Sequence, residues 1–203
     1  AAGSDLTVDY GTAVELRGRL TDAQGVGVAD RSVAVVVRAA AGIGRAPERR
    51  RVVSDRAGRF ALRLPPGSSR RVIVAFHGGG GFAPVRARSL ALRVRAGVSL
   101  TASPRRLDTG ESVTLTGSVR PGPARIPSRG KLVTVQYLER ASGRWRPALV
   151  VRTGARGRFK ARYRFRYITG AARIRLRATA LPEAGWPYAS GSSAPVTVTV
   201  HGG

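Results

Sequence analysis

Two copies of one pattern lie 99 residues apart in this chain of 203 residues. "GRF" occurs at Gly58–Phe60 and again at Gly157–Phe159. "GTAVELRG" and "GESVTLTG" fall at the same offset, with Val14 over Val113, Leu16 over Leu115 and Gly18 over Gly117. "RSVAVVV" meets "GKLVTVQ" with one residue of slippage, "RVVSDRAGRF" meets "VRTGARGRF", and "RRVIVAF" meets "ARIRLRA". Each half closes on a strand-like run, "LALRVRA" or "PVTVTV". A repeat of this length implies one folding unit written twice. The expected domains are 1–97 and 98–203. The junction "RAGVSLTASP" is too short to act as a flexible tether, so the pair is expected to be semi-rigid.

Each half carries six or seven short runs of period-2 alternation between Gly, Pro, Ser and Asp clusters. Val14, Leu16 and Leu20 alternate with Glu15, Arg17 and Arg19; Phe60, Leu62 and Leu64 alternate with Arg59, Ala61 and Arg63. No helical period appears. "RAAAGIGRAPERR" is Ala-rich but broken by Gly42, Gly44 and Pro47. About seven strands per hundred residues predicts an all-β chain of two Ig-like antiparallel sandwiches. The chain has no cysteine, so the disulfide of antibody domains is missing.

The turn motifs carry a resemblance. "GVGVADRSVAV", "SDRAGRF" and "LPPGSSRRVIV" resemble the carboxypeptidase-regulatory-like (transthyretin-like) modules of bacterial surface proteins. Gly27 stands where that family usually has Pro, and Ser54 replaces Thr. The second half is similar to bacterial Ig-like repeats, with Thr153-Gly154 in place of the usual Thr-Asp. The resemblance implies secreted or surface-displayed modules used as spacers, stalks or binding units, in GC-rich bacteria. It marks turns and core positions, not chemistry.

Hydrophobic residues make up 42% of the chain, enough for packed cores. No apolar run approaches the ~18 residues of a transmembrane helix. The start at Ala1, Ala2 and Gly3 fits a mature secreted chain or an excised fragment. Of 36 basic residues only Lys131 and Lys160 are lysines, a bias that GC-rich codon usage alone can write. The net charge of +25 is a different matter. It predicts attraction to nucleic acid, acidic polysaccharide or a phosphate-rich cell wall, or else a solvated, self-repelling surface.

Catalytic signals fail on inspection. "FHGGGGF" (residues 76–82) has the glycines of an oxyanion loop, but no G-x-S-x-G elbow accompanies it. "GVGVAD" and "AGIGRAP" lack the third glycine and the helix of a dinucleotide site. Asp5 and Asp9 are close in sequence but read as a strand start. The 11 acids are scattered among the cations, so no catalytic, cofactor or metal residues are expected.

From Arg140 to Leu181 there is no acidic residue. In "GRFKARYRFRY", Arg158, Lys160, Arg162, Arg164 and Arg166 share one parity; Phe159, Ala161, Tyr163, Phe165 and Tyr167 share the other. A strand sends these to opposite faces, so the aromatic row is expected in the core and the cationic row in solvent. Arg173, Arg175 and Arg177 repeat the pattern against Ile174, Leu176 and Ala178. These eight cations, Arg158 to Arg177, are the candidate polyanion site. Two geometries are open. A tight hairpin at Thr169-Gly170 would set the rows side by side, arginine opposite arginine. A crossing between sheets would place them on two outer faces. Trp145, Trp186 and Tyr188 lie in loop-like contexts; exposed they could stack on sugars, buried they would plug the sandwich ends.

The expected function is a non-enzymatic structural or spacer segment of an extracellular or cell-surface protein, in a fibre or larger assembly joined through open sheet edges. Its partners would be further domains of that protein or identical subunits. The alternative is a basic module binding an anionic polymer.

Overall fold

The computed structural model describes residues 5–41 and 43–202. Ala1, Ala2, Gly3 and Gly42 lie outside the described residues. The chain divides into two compact units, Ala1–Val94 and Arg95–Gly203. Arg95 pairs with Ala189, and the Ala96 N–H donates to the Ala189 carbonyl at 3.0 Å. Residues 95–97, placed by sequence columns in the first half, therefore go with the second.

In the first unit, β1 (Asp5–Val8), β3 (Ser32–Ala39), β4 (Glu48–Val53), β6 (Arg70–Phe76) and β7 (Val85–Val94) form one sheet, in the order β1-β7-β6-β3-β4. Opposite it, β2 (Val14–Arg19) pairs with β5 (Arg59–Leu64). In the second unit, β8 (Gly97–Ser103), β10 (Ser112–Arg120) and β13 (Arg158–Arg164) form a sheet in the order β13-β10-β8. The facing sheet runs β12 (Trp145–Arg152), β11 (Leu132–Leu138), β14 (Ala171–Ala180), β16 (Val196–His201), β9 (Arg106–Asp108), with β15 (Gly191–Ser192) beside β14. Both units are Ig-like β-sandwiches. The sequence repeats map element on element: β2 onto β10, β5 onto β13, β3 onto β11, β6 onto β14 and β7 onto β16.

Alternation builds each core. Val14, Leu62 and Leu64 of the small sheet face Val33, Val35, Val72 and Leu92 of the large one, all buried. In the second unit Leu100, Val113, Leu115 and Phe159 face Val133, Val135, Leu176 and Val198. At ~25 cal/mol per Å² of apolar surface, each such Val or Leu contributes about 1.5–3 kcal/mol of burial.

The repeated GRF has two linked roles. Gly58 and Gly157 sit at φ +76° and +75°, and a Cβ there would lie 2.2 Å from the Leu20 or Val119 carbonyl oxygen. Those turns aim the following Phe at a glycine on the partner strand. Phe60 is in register with Gly18, and Phe159 with Gly117. A Cβ on either strand glycine would be 2.3 Å from the ring, so the ring occupies the place of the missing side chain. Asp55 also closes the first turn, its Oδ1 accepting the Ala57 and Arg59 N–H groups at 2.8 Å. Gly154 holds that place in the second turn, which closes on backbone bonds alone.

The chain after β13 settles the geometry of the arginine rows. β13 and β14 lie in different sheets, and residues 165–170 cross between them. Alternation ends where the strand does. Phe165 is buried but Tyr167 is 92% exposed, which corrects its expected place in the core. Among the described residues the Ala-rich run forms no helix: β3 ends at Ala39 and β4 begins at Glu48. The glycine loop is closed by reciprocal bonds between Gly79 and Phe82. The guanidinium of Arg31 fits against Gly80, where a Cβ would be 2.4 Å from Nη2, and lies 5.7 Å from the Phe82 ring.

Candidate polyanion-binding faces

The first candidate face is the outer side of β13-β10-β8. Arg158, Lys160, Arg162 and Arg164 are all exposed on it, about 7 Å apart along the edge strand. Each is in register with a hydroxyl of β10: Ser118, Thr116, Thr114 and Ser112. The next row is again hydroxyl, with Ser99 beside Ser118, Thr101 beside Thr116 and Ser103 beside Thr114. Ser99 and Ser118 bond to each other at 2.8 Å, and Thr101 donates to the Thr116 carbonyl at 3.1 Å. The strands of this face carry no carboxylate. Glu111, just ahead of β10, turns its Oε2 to the Asp108 N–H at 2.8 Å. Arg164 is partly committed, its Nε donating to the Gly110 carbonyl. Arg166 is exposed but lies beyond the strand.

The matching face of the first unit carries Glu15, Arg17 and Arg19 on β2 where β10 has Thr114, Thr116 and Ser118, and Ala61 where β13 has Lys160. Glu15 stands on β2 and pairs with Arg17 at 2.8 Å and Arg63 at 3.2 Å. Hydrogen bonds from Arg17 and Arg63 hold its carboxyl below the usual carboxylate range. Where the first unit has a carboxylate between two of its arginines, the second offers Ser and Thr.

The second candidate face is the outer side of β14. Arg173 and Arg175 are exposed and, with Arg140, Leu138 and Thr197, line an open groove of about 270 Å³. Arg177 is taken out of this set. Its guanidinium lies 4.2 Å from the centre of the Trp145 ring and its Nε donates to Gln136 at 2.8 Å. Burial pushes its pKa down. Six of the eight cations thus divide between two faces that no single short ligand can span, Arg158, Lys160, Arg162 and Arg164 on one and Arg173 and Arg175 on the other.

The aromatic candidates are also placed. Trp186 and Tyr188 are buried, their ring centres 5.4 Å apart, and the Tyr188 hydroxyl donates to the Pro121 carbonyl at 3.1 Å. That burial corrects their place in a sugar-stacking site. Trp145 opens β12 instead of lying in a loop, half-buried beneath Arg177.

Trp186 belongs to a cluster whose role the sequence reading did not assign. Lys131 is fully buried. Its ammonium donates to the Leu181 carbonyl and to Glu183 Oε2, and lies 5.5 Å from the centre of the Trp186 ring. Glu183 also accepts from the Leu132 N–H at 3.0 Å and from Arg152 at 3.2 Å. Burial pushes the Glu183 carboxyl up, but these donors outweigh it and hold it below its ordinary value. Arg31 is the counterpart of Lys131: each donates its backbone N–H to a hydroxyl, of Ser54 or Thr153, and accepts that residue's N–H at its own carbonyl, and each meets a loop that follows β6 or β14. The signal in sequence was one of only two lysines, Lys131 and Lys160, in a chain of arginines. Among the described residues no three His, Cys, Asp or Glu side chains could hold a metal ion, and no helix is long and apolar enough to cross a membrane.

No protein-family model and no curated protein matches the chain. Among solved structures, it is similar to a segment of two fibronectin type-III domains from chicken tenascin. That match has 15% identity and a TM-score of 0.48, over 95% of this chain and 93% of the other. It is similar to the Yersinia pseudotuberculosis adhesin InvE at 14% identity and TM-score 0.35, over 98% of this chain and 57% of that one. The Escherichia coli adhesin FdeC matches at 16% and 0.37, over 97% and 62%. The chain spans about three fifths of those two adhesin chains.

The buried pair predicts acid sensitivity. A carboxyl whose folded pKa is depressed stabilises the fold above its unfolded value, near ~4.3, and loses that contribution as pH falls through the folded value. Glu183→Gln should cost the second unit about 2–3 kcal/mol at neutral pH, by leaving a buried ammonium without its anion. The gap to the parent chain should narrow steadily in denaturant melts taken from pH 5 down to pH 2. A gap independent of pH would remove Glu183 from the ionic account.

Proposed function

We propose that the chain is a non-enzymatic structural segment of a secreted or cell-surface protein, a spacer that stays folded while tension passes through it. One observation carries this reading: the parallel pairing of an early strand with the last strand in each unit. β1 pairs with β7, Asp5 to Ala91 through Val8 to Val94. β9 pairs with β16, Arg106 to Thr199 through Asp108 to His201. Tension on the ends of a parallel pair loads its hydrogen bonds together, in shear, instead of peeling them singly. Asp5 and Arg93 add an ion pair at 2.9 Å across the first of these seams. Further domains of the same protein, or identical subunits, would be the partners. The carboxypeptidase-regulatory-like and bacterial Ig-like kinship belongs to this proposal, supported by the turn motifs. Pulling the chain between its ends should give two discrete unfolding events, each releasing about 30 nm at ~3.4 Å per residue. Smooth extension without two events would overturn the spacer reading.

A second reading rests on the β13 face: binding of a linear acidic polysaccharide. A ladder of cations beside two rows of hydroxyls offers charge and hydrogen-bond partners to carboxylate or sulfate and to sugar hydroxyls. The face lacks the exposed aromatics that stack nucleic-acid bases. Replacing Arg158, Lys160 and Arg162 by Ser should lower the salt needed to elute the chain from heparin far more than replacing the exposed Arg49, Arg51 and Arg56. Equal shifts would mean that retention follows net charge alone.

A further inference from the structure

The large sheet of the first unit departs from its counterpart on the outer face. Every strand of it is matched in the second unit, in the same order: β9 for β1, β16 for β7, β14 for β6, β11 for β3 and β12 for β4. With Val33, Val35, Val37 and Val72 turned into the core, Ala34 and Val36 of β3 and Ile73 and Ala75 of β6 face outward, each partly exposed. They stand in register, Ala34 with Ala75 and Val36 with Ile73. In the second unit the same places hold Thr134, Gln136, Arg177 and Thr179. Those polar groups satisfy one another. Gln136 accepts from Arg177 at 2.8 Å and from Thr179 at 3.0 Å, and Arg177 lies against the Trp145 ring. The second unit thus covers the middle of its sheet with its own side chains, whereas the first leaves an apolar strip two strands wide.

Arginines border that strip. Arg51 and Arg49 of β4 lie beside Ala34 and Val36, and Arg38 lies directly opposite Arg71 at one end. All four are exposed, and among the described residues none of them has an acidic partner. The acids on the strands of this sheet are already paired, Asp5 with Arg93 and Glu48 with Arg50.

We propose that this face docks an acidic amphipathic helix of a partner protein, with its apolar stripe on the strip and its carboxylates on the bordering arginines. The strip is about 10 Å wide, the diameter of a helix. Its Ala, Val and Ile side chains are shorter than the arginines around them. A flat lipid surface would meet the guanidinium groups and not the strip, whereas apolar side chains projecting from a helix reach down to it. A second copy of the chain would set guanidinium against guanidinium. Like charges directly opposite destabilise a strand pair, and a partner carboxylate between Arg38 and Arg71 relieves that repulsion. Burial of the stripe supplies affinity, and the arginine border selects acidic over basic partners. This goes beyond the spacer reading and does not depend on it.

The probe is a labelled helical peptide of about 18 residues, with leucines at helical spacing and glutamates flanking them, added to the full chain at ~0.15 M salt. One control scrambles the same residues to abolish the stripe, and another carries lysine for glutamate. The striped acidic peptide should bind about ten-fold tighter than either control. Val36→Gln with Ile73→Arg installs the pair that the second unit already accommodates. It should weaken binding about ten-fold, although it makes the chain more positive. Should that pair unsettle the unit, the exposed change Arg49→Glu with Arg51→Glu tests the border by itself and should make the lysine peptide the tighter binder. A scramble that binds as well, or an order of peptides unchanged by the charge swap, would reduce the effect to attraction by a +25 chain and overturn the proposal. Anionic vesicles that bind the parent chain but not the Val36→Gln, Ile73→Arg variant would assign the face to a membrane. Dimers in sedimentation that this variant abolishes would assign it to a second copy. Either result overturns the helix.

Discussion

Both units are organised by an aromatic ring laid over a glycine on the neighbouring strand. Glycine inside a strand is ordinarily a weakness, since it brings no side chain and loses the most conformational freedom. Here Phe60 covers Gly18 and Phe159 covers Gly117, an aromatic rescue built across the sheet. The covered pairs lie about forty residues apart in sequence, so they fix the register of a long-range strand pair that no tight hairpin could set. A register slip of one residue would send every side chain of β5 or β13 to the wrong face. The left-handed glycine two residues before each Phe supplies the turn that delivers the ring.

The distribution of charge follows from that register. With Phe159 inward, Arg158, Lys160 and Arg162 must point outward; with Leu176 inward, so must Arg173 and Arg175. Because the chain crosses between sheets after β13, the two rows stand on opposite faces of one sandwich. Like charges therefore need not oppose one another, and the cost of a row of cations falls to mild repulsion screened by salt. The units then part company over single positions. Glu15 pairs with Arg17 and Arg63 on one face, whereas its counterpart carries Ser and Thr and no carboxylate. Arg31 and Lys131 take the same place at the entry of a central strand, but only the smaller, fully buried lysine brings a carboxylate in with it.

Much of this was legible in the sequence, where geometry follows directly from period. The repeat at 99 residues, the period-2 alternation and the outward arginines each need only the rule that neighbouring strand residues face opposite ways. What was not legible depended on where strands stop and which sheet they join. Tyr167 follows the parity of Phe165, yet it lies past the strand end, where parity no longer assigns a face. Trp186 and Tyr188 sit among Gly and Pro, and only the fold shows that their loop turns inward over Lys131. Arg177 matches Arg175 in spacing but differs in having Trp145 and Gln136 within reach on strands distant in sequence.

The interlock of ring and glycine is most directly tested in the first unit, where the atoms nearest a Cβ on Gly18 all belong to the Phe60 ring. Stability would be measured by denaturant unfolding for Gly18→Ala, Phe60→Ala and the two together. With Phe60 present, Gly18→Ala should cost about 1–3 kcal/mol, as an added methyl forces the ring out of place. With Phe60 removed, the same change should be neutral or should stabilise by up to about 1 kcal/mol, since alanine restricts the unfolded chain. An equal cost in both backgrounds would contradict the account.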